Sequence, residues 1–360
     1  MSNVAKKRVL LVDDAVVVRR ALSDAISQDP GLEVAGTAVN GRIALSKFEA
    51  LKPDIVLLDI EMPEMDGLET VQELRKIDRL IPIIMFSSLT ERGASVTLEA
   101  LSLGATDYVT KPSNIDGTAT FATVTQELIP KIRALCHLPD IRVQTIRPRP
   151  LPLPTPTVPR LFAPVQVVAI GSSTGGPDAL AHLLPTLPPD FPVPIVVAQH
   201  MPPIFTALLA ARLTSKSALP VHECVSGEAL VPGRIVIAPG DFHMVVSHDT
   251  SGTVLMTNQR PKENFCRPSV DVLFQSIACV FGNRALAVIL TGMGQDGLKG
   301  CEVLHRMGAR IYAQDEASSV VWGMPGFVAR NGLADKVLPL DQIGLEIVRA
   351  TNKTLMARPS

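Results

Sequence analysis

The segment "HLPDIRVQTIRPRPLPLPTPTVPRLFAP", residues 137–164, sets the strongest limit on how this chain folds. It holds eight prolines and no glycine, and beyond Asp140 it carries arginines but no acids. Proline fixes φ and lacks an N–H, so such a stretch leaves helix interiors and central strands and favours an extended, semi-rigid tether. The 360 residues must therefore build two cores, one on each side of it. The expected boundaries are a first domain over 1–136, a linker over 137–164 and a second domain over 165–352. A plain spacer and a binding role both stay open for the linker.

Both flanks read as α/β. In the first, "RVLLVDD", "LEVAGTA", "DIVLLDI", "IPIIMFSS" and "DYVTKP" are β-rich runs separated by amphipathic segments such as Val16–Ser27 and Gly67–Ile77. Five such units in about 125 residues predict a doubly wound, five-stranded parallel sheet with its ligand site at the carboxyl strand ends. In the second flank, "VQVVAI", "VPIVVAQH", "RIVIAPG", "HMVVS", "TVLMTN", "ALAVILTG" and "ARIYAQD" read as strands, with helices after 176, 203, 269 and 296. The stretch "DTSGT" reads as a hairpin turn. The prediction is a second doubly wound domain with a mostly parallel sheet and an added hairpin. Apolar residues at 46% and aromatic ones at 4% imply aliphatic cores.

Charge excludes one class of partner. Residues 165–360 hold 15 basic and 15 acidic side chains, so no domain-wide basic surface faces nucleic acid. The five cysteines are odd in number and contain no CxxC pair, which suits a reducing compartment. The opening "MSNVAKKRVLLVDD" lacks the apolar core of a signal peptide, and no stretch reaches the ~20 apolar residues of a membrane span. A soluble, cytoplasmic protein is expected.

Several first-domain residues that carry chemistry fall at strand ends. Asp13 and Asp14 end the first strand, Asp59 the third, Ser87 the fourth and Lys111 the fifth. Three converging carboxylates repel one another unless a cation joins them, and hard Mg²⁺ suits oxygen ligands while leaving positions for phosphoryl oxygens. Asp59 can then attack a phosphoryl group, Glu61 can offer its backbone carbonyl to the metal, and Lys111 can neutralise the arriving charge. Any one of these aspartates alone reads more readily as a solvated loop residue or helix cap. Together, "VDD", "D-x-x-M-P-x-M-D-G", the strand-4 serine and "Y-V-T-K-P" resemble the response-regulator receiver domain. That resemblance implies phosphorylation of Asp59 by a partner histidine kinase, with Ser87 and Tyr108 relaying the change. Ala15 stands where many receivers have a hydroxyl residue.

In the second domain, "GSSTGG" (residues 171–176) fits two templates. As a phosphate loop it lacks the Lys-Ser/Thr of a Walker motif and is not G-x-G-x-x-G. As a nucleophile elbow, G-x-S-x-G between strand and helix centres on Ser173 rather than Ser172. Serine needs a base and the base an orienting acid. His200 ends the next strand and is the best-placed histidine, while His182, His222 and His243 read as structural and His137, His248 and His305 as surface or connector residues. Asp296 projects from the glycine-rich turn of "VILTGMGQDG", though a helix cap is the alternative. The N–H groups of Thr174 and Met293 are candidate oxyanion donors. Arg267 is a candidate substrate contact or a structural salt bridge, and Asp271 reads as structural.

The stretches "IGSSTGGPDAL", "AQHMPPIFT", "RPSVDVLF", "LTGMGQDGLKG" and "AQDEASSVVWGMP" resemble the chemotaxis protein-glutamate methylesterases, the CheB family. With the receiver, the resemblance covers nearly all of the chain except the linker. It implies a phosphorylation-activated hydrolase of glutamate γ-methyl esters on chemoreceptors, which also deamidates receptor glutamines, with Ser173, His200 and Asp296 catalytic and no cofactor at the esterase site. The family commonly has alanine where this chain has Ser172. A nucleotide-binding output and a non-catalytic signalling adaptor are the competing classes.

Overall fold

A computed structural model describes residues 5–111, 118–138, 162–250 and 252–352, with side chains omitted over 118–123. The chain divides into two compact units, Met1–Gln144 and Thr145–Ser360. Most of the proline-rich segment lies outside the described residues.

The first unit alternates β1 (Lys7–Val12), α1 (Val16–Ser27), β2 (Leu32–Ala38), α2 (Gly41–Leu51), β3 (Ile55–Asp59), α3 (Gly67–Ile77), β4 (Ile83–Ser87), α4 (Glu91–Ser102), β5 (Asp107–Thr110) and α5 (Thr118–Leu135). The strands form a parallel sheet in the order β2-β1-β3-β4-β5. Every residue of β3 and β4 is buried, which is why these runs are continuously apolar rather than alternating. Their last residues, Asp59 and Ser87, are polar and lie where the sheet ends. Helix α3 starts with a capping box in which Asp66 accepts from the Glu69 N–H and Glu69 answers the Asp66 N–H.

The second unit runs β6 (Val167–Ser172), α6 (Gly176–Leu183), β7 (Ile195–Gln199), α7 (Phe205–Thr214), β8 (Val221–Glu223), β9 (Ile235–Ile237), β10 (His243–Asp249), β11 (Gly252–Asn258), α8 (Val270–Phe281), β12 (Ala285–Ile289), α9 (Leu298–Arg306), β13 (Arg310–Gln314), α10 (Met324–Arg330), β14 (Lys336–Leu338) and α11 (Leu340–Thr351). Its seven-stranded parallel sheet has the order β14-β13-β12-β6-β7-β9-β8. Strands β10 and β11 pair antiparallel as the expected hairpin. Beneath one sheet face, Val167, Ala169, Val196 and Ala287 join Phe274 and Ile277 of α8, Leu304 of α9 and Val246 of β10 in one aliphatic core.

Four elements escape the sequence reading: β8, β14, α10 and α11. The two strands are three residues long and lie at opposite sheet edges, too short for a periodic signal. The chain leaves β6 toward β7 on one side and returns to β12 on the other. The crevice beside β6 is therefore the switch point of this sheet, where doubly wound folds place their ligand sites.

Candidate active site and phosphoacceptor pocket

The three candidate triad residues leave three adjacent strands. Parallel pairing sets Ser172 opposite Gln199 and Ile289 opposite Gly171, so Ser173, His200 and the loop holding Asp296 all emerge from the same edge. Backbone bonds fasten them: the His200 N–H donates to Ser172 O at 3.1 Å, and the Ser173 N–H donates to Thr291 O at 3.1 Å.

The two serines of "GSSTGG" differ sharply. Ser172 is fully buried and donates its hydroxyl to Gln199 Oε1 at 2.6 Å. Gln199 in turn donates to the carbonyl of Ser173 at 3.0 Å, fixing the turn from below. Ser173 is half-buried. Gly175 caps α6 at φ +74, and a Cβ there would lie 2.7 Å from Val320, so both conformation and space require glycine. Across the crevice, a Cβ on Gly292 would stand 2.9 Å from Ser173 Cβ and 2.4 Å from Met324 Sδ. The loop after β12 thus lies directly against Ser173, and Met293 follows at its lip.

His200 Nε2 meets Asp296 Oδ2 at 2.7 Å. Asp296 does not cap α9, whose cap is Gly297. Instead its carboxylate is gripped by the start of α8: Val270 N–H donates to Oδ2 at 2.7 Å, and Asp271 N–H and the Ser269 hydroxyl donate to Oδ1 at 3.1 and 2.8 Å. Asn264 Nδ2 adds a further bond to Oδ1 at 2.8 Å and bridges to Asp271 Oδ2 at 2.8 Å. Burial works against the Asp296 charge, but His200 and these donors overcome it and hold the carboxyl down at about 2. Burial lifts Asp271 to about 6, even though the Gly300 N–H and Asn264 bond it, so the neighbouring acid acts as a bridge within the turn.

Burial also opposes charge on His200, yet Cys266 and Asp296 outweigh it and raise the imidazole to about 10. Cys266 was not singled out from the sequence. Its Sγ lies 3.5 Å from His200 Nδ1, the ring nitrogen left over once Nε2 is bound to Asp296. Asn264, Ser269 and Gln199 were missed too. Of these, Ser269 alone carried a readable signal, as an N-cap serine before the apolar run of α8.

Arg267 donates to Asp241 through Nε at 3.0 Å and a terminal nitrogen at 2.6 Å, and to the carbonyls of Gln259 and Arg260 at 3.0 and 3.1 Å. The salt-bridge alternative thus describes its position, and most of its donors are engaged within the fold. His222 pairs with Glu228, and His243 bonds the Pro261 carbonyl, so both sit away from the triad.

In the first unit, single carboxylate oxygens of Asp13, Asp14 and Asp59 all lie within 4.8 Å of one another. Lys111 Nζ stands 2.7 Å from Asp59 Oδ1 and 3.2 Å from Asp13 Oδ2. Asp13 Oδ2 is buried and has the Lys111 ammonium as its charged neighbour. Burial, opposed by Lys111 and aided by Asp13, lifts Asp59 to about 6. Ser87 is buried, takes a hydrogen bond from Thr97 at 2.6 Å and reaches the Gly93 carbonyl of α4 at 3.2 Å. Tyr108 is buried under the Lys131 ammonium, 5.2 Å from its ring centre. Glu61 lies on the exposed turn after β3, its N–H 3.4 Å from Asp59 Oδ1.

Fold and sites together define a class: a doubly wound α/β unit with a serine, a histidine and an aspartate at one sheet edge, joined in sequence to a second α/β unit with an acid cluster at its own sheet edge. Residues 168–347 match the family described as CheB methylesterase, and residues 9–120 match the response regulator receiver domain. The chain is 46% identical over 347 residues to a protein-glutamate methylesterase/protein-glutamine glutaminase of Trichodesmium erythraeum, covering 96% of this chain and 99% of that one. A protein of the same name from a Nocardioides species is 50% identical over 350 residues, covering 95% and 94%. The crystal structure of the Thermotoga maritima CheB methylesterase catalytic domain aligns with a TM-score of 0.51 at 43% identity, covering 52% of this chain and 99% of that one. The chain belongs to the CheB methylesterase family and carries a receiver domain ahead of its catalytic domain. Among the described residues, no helix is long and apolar enough to cross a membrane.

Proposed function

We propose that this protein is a cytoplasmic, phosphorylation-controlled esterase that hydrolyses glutamate γ-methyl esters on chemoreceptors and deamidates selected receptor glutamines. The observation that carries the reading is the His200–Asp296 pair at 2.7 Å, delivered to the strand edge from which Ser173 emerges. Ser173 Oγ attacks the ester carbonyl and its proton passes to His200 Nδ1. Asp296 fixes the tautomer and stabilises the imidazolium. The N–H groups of Thr174 and Met293 receive the oxyanion, a contribution of about 3 kcal/mol per donor. Methanol departs with the proton from His200, and water attacks the acyl-serine to free the glutamate. For a glutamine side chain the same steps expel ammonia.

On the receiver side, Asp59 takes a phosphoryl group from a histidine kinase. Ile60 N–H and Lys111 both engage Oδ1, so Oδ2 is assigned as the nucleophile. The fit to Mg²⁺ rests on the three clustered carboxylates, an all-oxygen donor set whose mutual repulsion a hard cation relieves. Asp13, Asp14, Asp59 and the carbonyl of Glu61 would hold the ion, which when bound neutralises the cluster and accepts phosphoryl oxygens. Ser87, turned toward Gly93 and Thr97 of α4, and Tyr108 on β5 are the groups assigned to pass on the change. Residues 137–164 tether the two units.

Methanol release from methylated receptor tests the reading. Ser173→Ala is expected to lose at least about 10³-fold in rate, as removal of a triad member does, whereas Ser172→Ala keeps most of its activity. Loss in Ser172→Ala with retention in Ser173→Ala overturns the assignment. ATP or cyclic nucleotide binding by the second unit, abolished on changing Gly175 and Gly176, would favour a nucleotide-binding output.

A further inference from the structure

We propose that Cys266 and His200 form a binding site for a borderline-soft divalent cation, represented by Zn²⁺, and that its occupation switches off the esterase centre. The donor set is thiolate and imidazole, unlike the all-oxygen cluster of the first unit. Sγ of Cys266, Nδ1 or Nε2 of His200 and a carboxylate oxygen of Asp296 lie within 4.8 Å of one another. The pair that faces across is Sγ and Nδ1, at 3.5 Å. Two ligands of a tetrahedral zinc, with Zn–S of about 2.3 Å and Zn–N of about 2.0 Å, stand about 3.5 Å apart.

The surroundings complete the design. Asp296 holds Nε2 at 2.7 Å, and a carboxylate on the far ring nitrogen is the usual orienting partner of a zinc-bound histidine. Asp296 is fixed in turn by Ser269, Val270, Asp271 and Asn264, so the imidazole is already presented. Cys266 and His200 are both half-buried, which leaves access and room for solvent at the remaining coordination positions. The other thiols differ: Cys136, Cys224 and Cys301 are buried, and Cys279 is exposed on α8 with no histidine beside it among the described contacts. On binding, the Cys266 thiol and the His200 imidazolium each give a proton to solvent, and the freed Nδ1 lone pair bonds the metal. That lone pair is the one that removes the Ser173 proton, so a metal-loaded site cannot activate the serine. The effect on turnover rests on the esterase reading, whereas the binding itself does not.

Full-length protein in Mg²⁺ buffer, titrated with Co²⁺, should develop the near-ultraviolet thiolate-to-cobalt charge-transfer band. The band should be retained in Cys279→Ser and in Ser173→Ala, and lost in Cys266→Ser. In methanol-release assays Zn²⁺ should inhibit reversibly on chelation. Relative to its own metal-free rate, Cys266→Ser should need at least about tenfold more Zn²⁺ for half-inhibition, since loss of a mere orienting partner already costs 10–100-fold. A band that persists in Cys266→Ser, or its absence from the wild type, overturns the site whatever the enzyme's activity. A normal band with unaltered turnover when the site is full overturns the inhibitory role alone, and a normal band in a protein inactive on methylated receptor sinks the esterase reading instead.

Discussion

The setting of His200 has a measurable consequence. Burial disfavours the imidazolium, but the adjacent sulfur and Asp296 raise His200 to about 10, so the neutral base appears only as pH climbs toward that value. Removing the sulfur removes the largest of the raising influences. In metal-chelated buffer, the acid limb of the kcat/KM profile of Cys266→Ser should therefore lie at lower pH than in wild type; an unmoved limb would show that the thiol does not tune the base. Asp296→Asn should lower kcat by about 10⁴, because the wrong tautomer is then held. The sequence made Ser173 and His200 legible because each directly follows an apolar strand run, and Asp296 because it lies in the glycine-rich turn after one. Cys266 and Asn264 sit in the loop before α8, where nothing periodic announces them, and only folding brings them to partners 66 residues behind and 32 residues ahead in the chain.

Helix α8 does more than cover the sheet. Its first turn supplies two backbone N–H groups and the Ser269 hydroxyl to Asp296, so the helix dipole and cap are directed at a carboxylate from another loop. Ser269 also caps its own helix by accepting from the Val272 N–H. Ser269→Ala should therefore cost about 1 kcal/mol or more of stability, the usual worth of such a cap, and should reduce kcat by disordering Asp296. Asp296 itself links the element to pH. Its folded pKa, near 2, lies below the ordinary 3.8, so the stability it contributes is present above pH 4 and is lost as pH falls through 2. The shift corresponds to about 2 kcal/mol. Trp322, the single tryptophan, lies in the second unit and reports its unfolding. The gap in denaturation midpoint between wild type and Asp296→Asn should narrow from pH 7 to pH 2, and a constant gap would refute the linkage.

For the molecule as a whole, each unit places its reactive groups on the carboxyl edge of a parallel sheet, and the phosphoacceptor reading of the first predicts the control of the second. Asp59→Asn should keep the basal rate of methanol release but lose all stimulation by a small-molecule phosphodonor; stimulation that survives the change would separate the receiver from the esterase. The sequence by itself determined that there are two α/β units, because a proline-rich stretch cannot cross a core, and that Asp59, Ser173, His200 and Asp296 are the reactive candidates, because polar residues at strand ends and in the turns that follow them lie where a parallel sheet opens to ligand. It also distinguished Ser173 from Ser172 through the spacing of the glycines. Tertiary structure alone decided the rest. Strand order β12-β6-β7 made three distant loops neighbours, the start of α8 took hold of Asp296, the Arg267 guanidinium went to Asp241, and a thiol came to rest against the base. Strand ends are encoded in local hydrophobic pattern, whereas which loops meet depends on the order in which strands pack, and that is a property of the whole sheet.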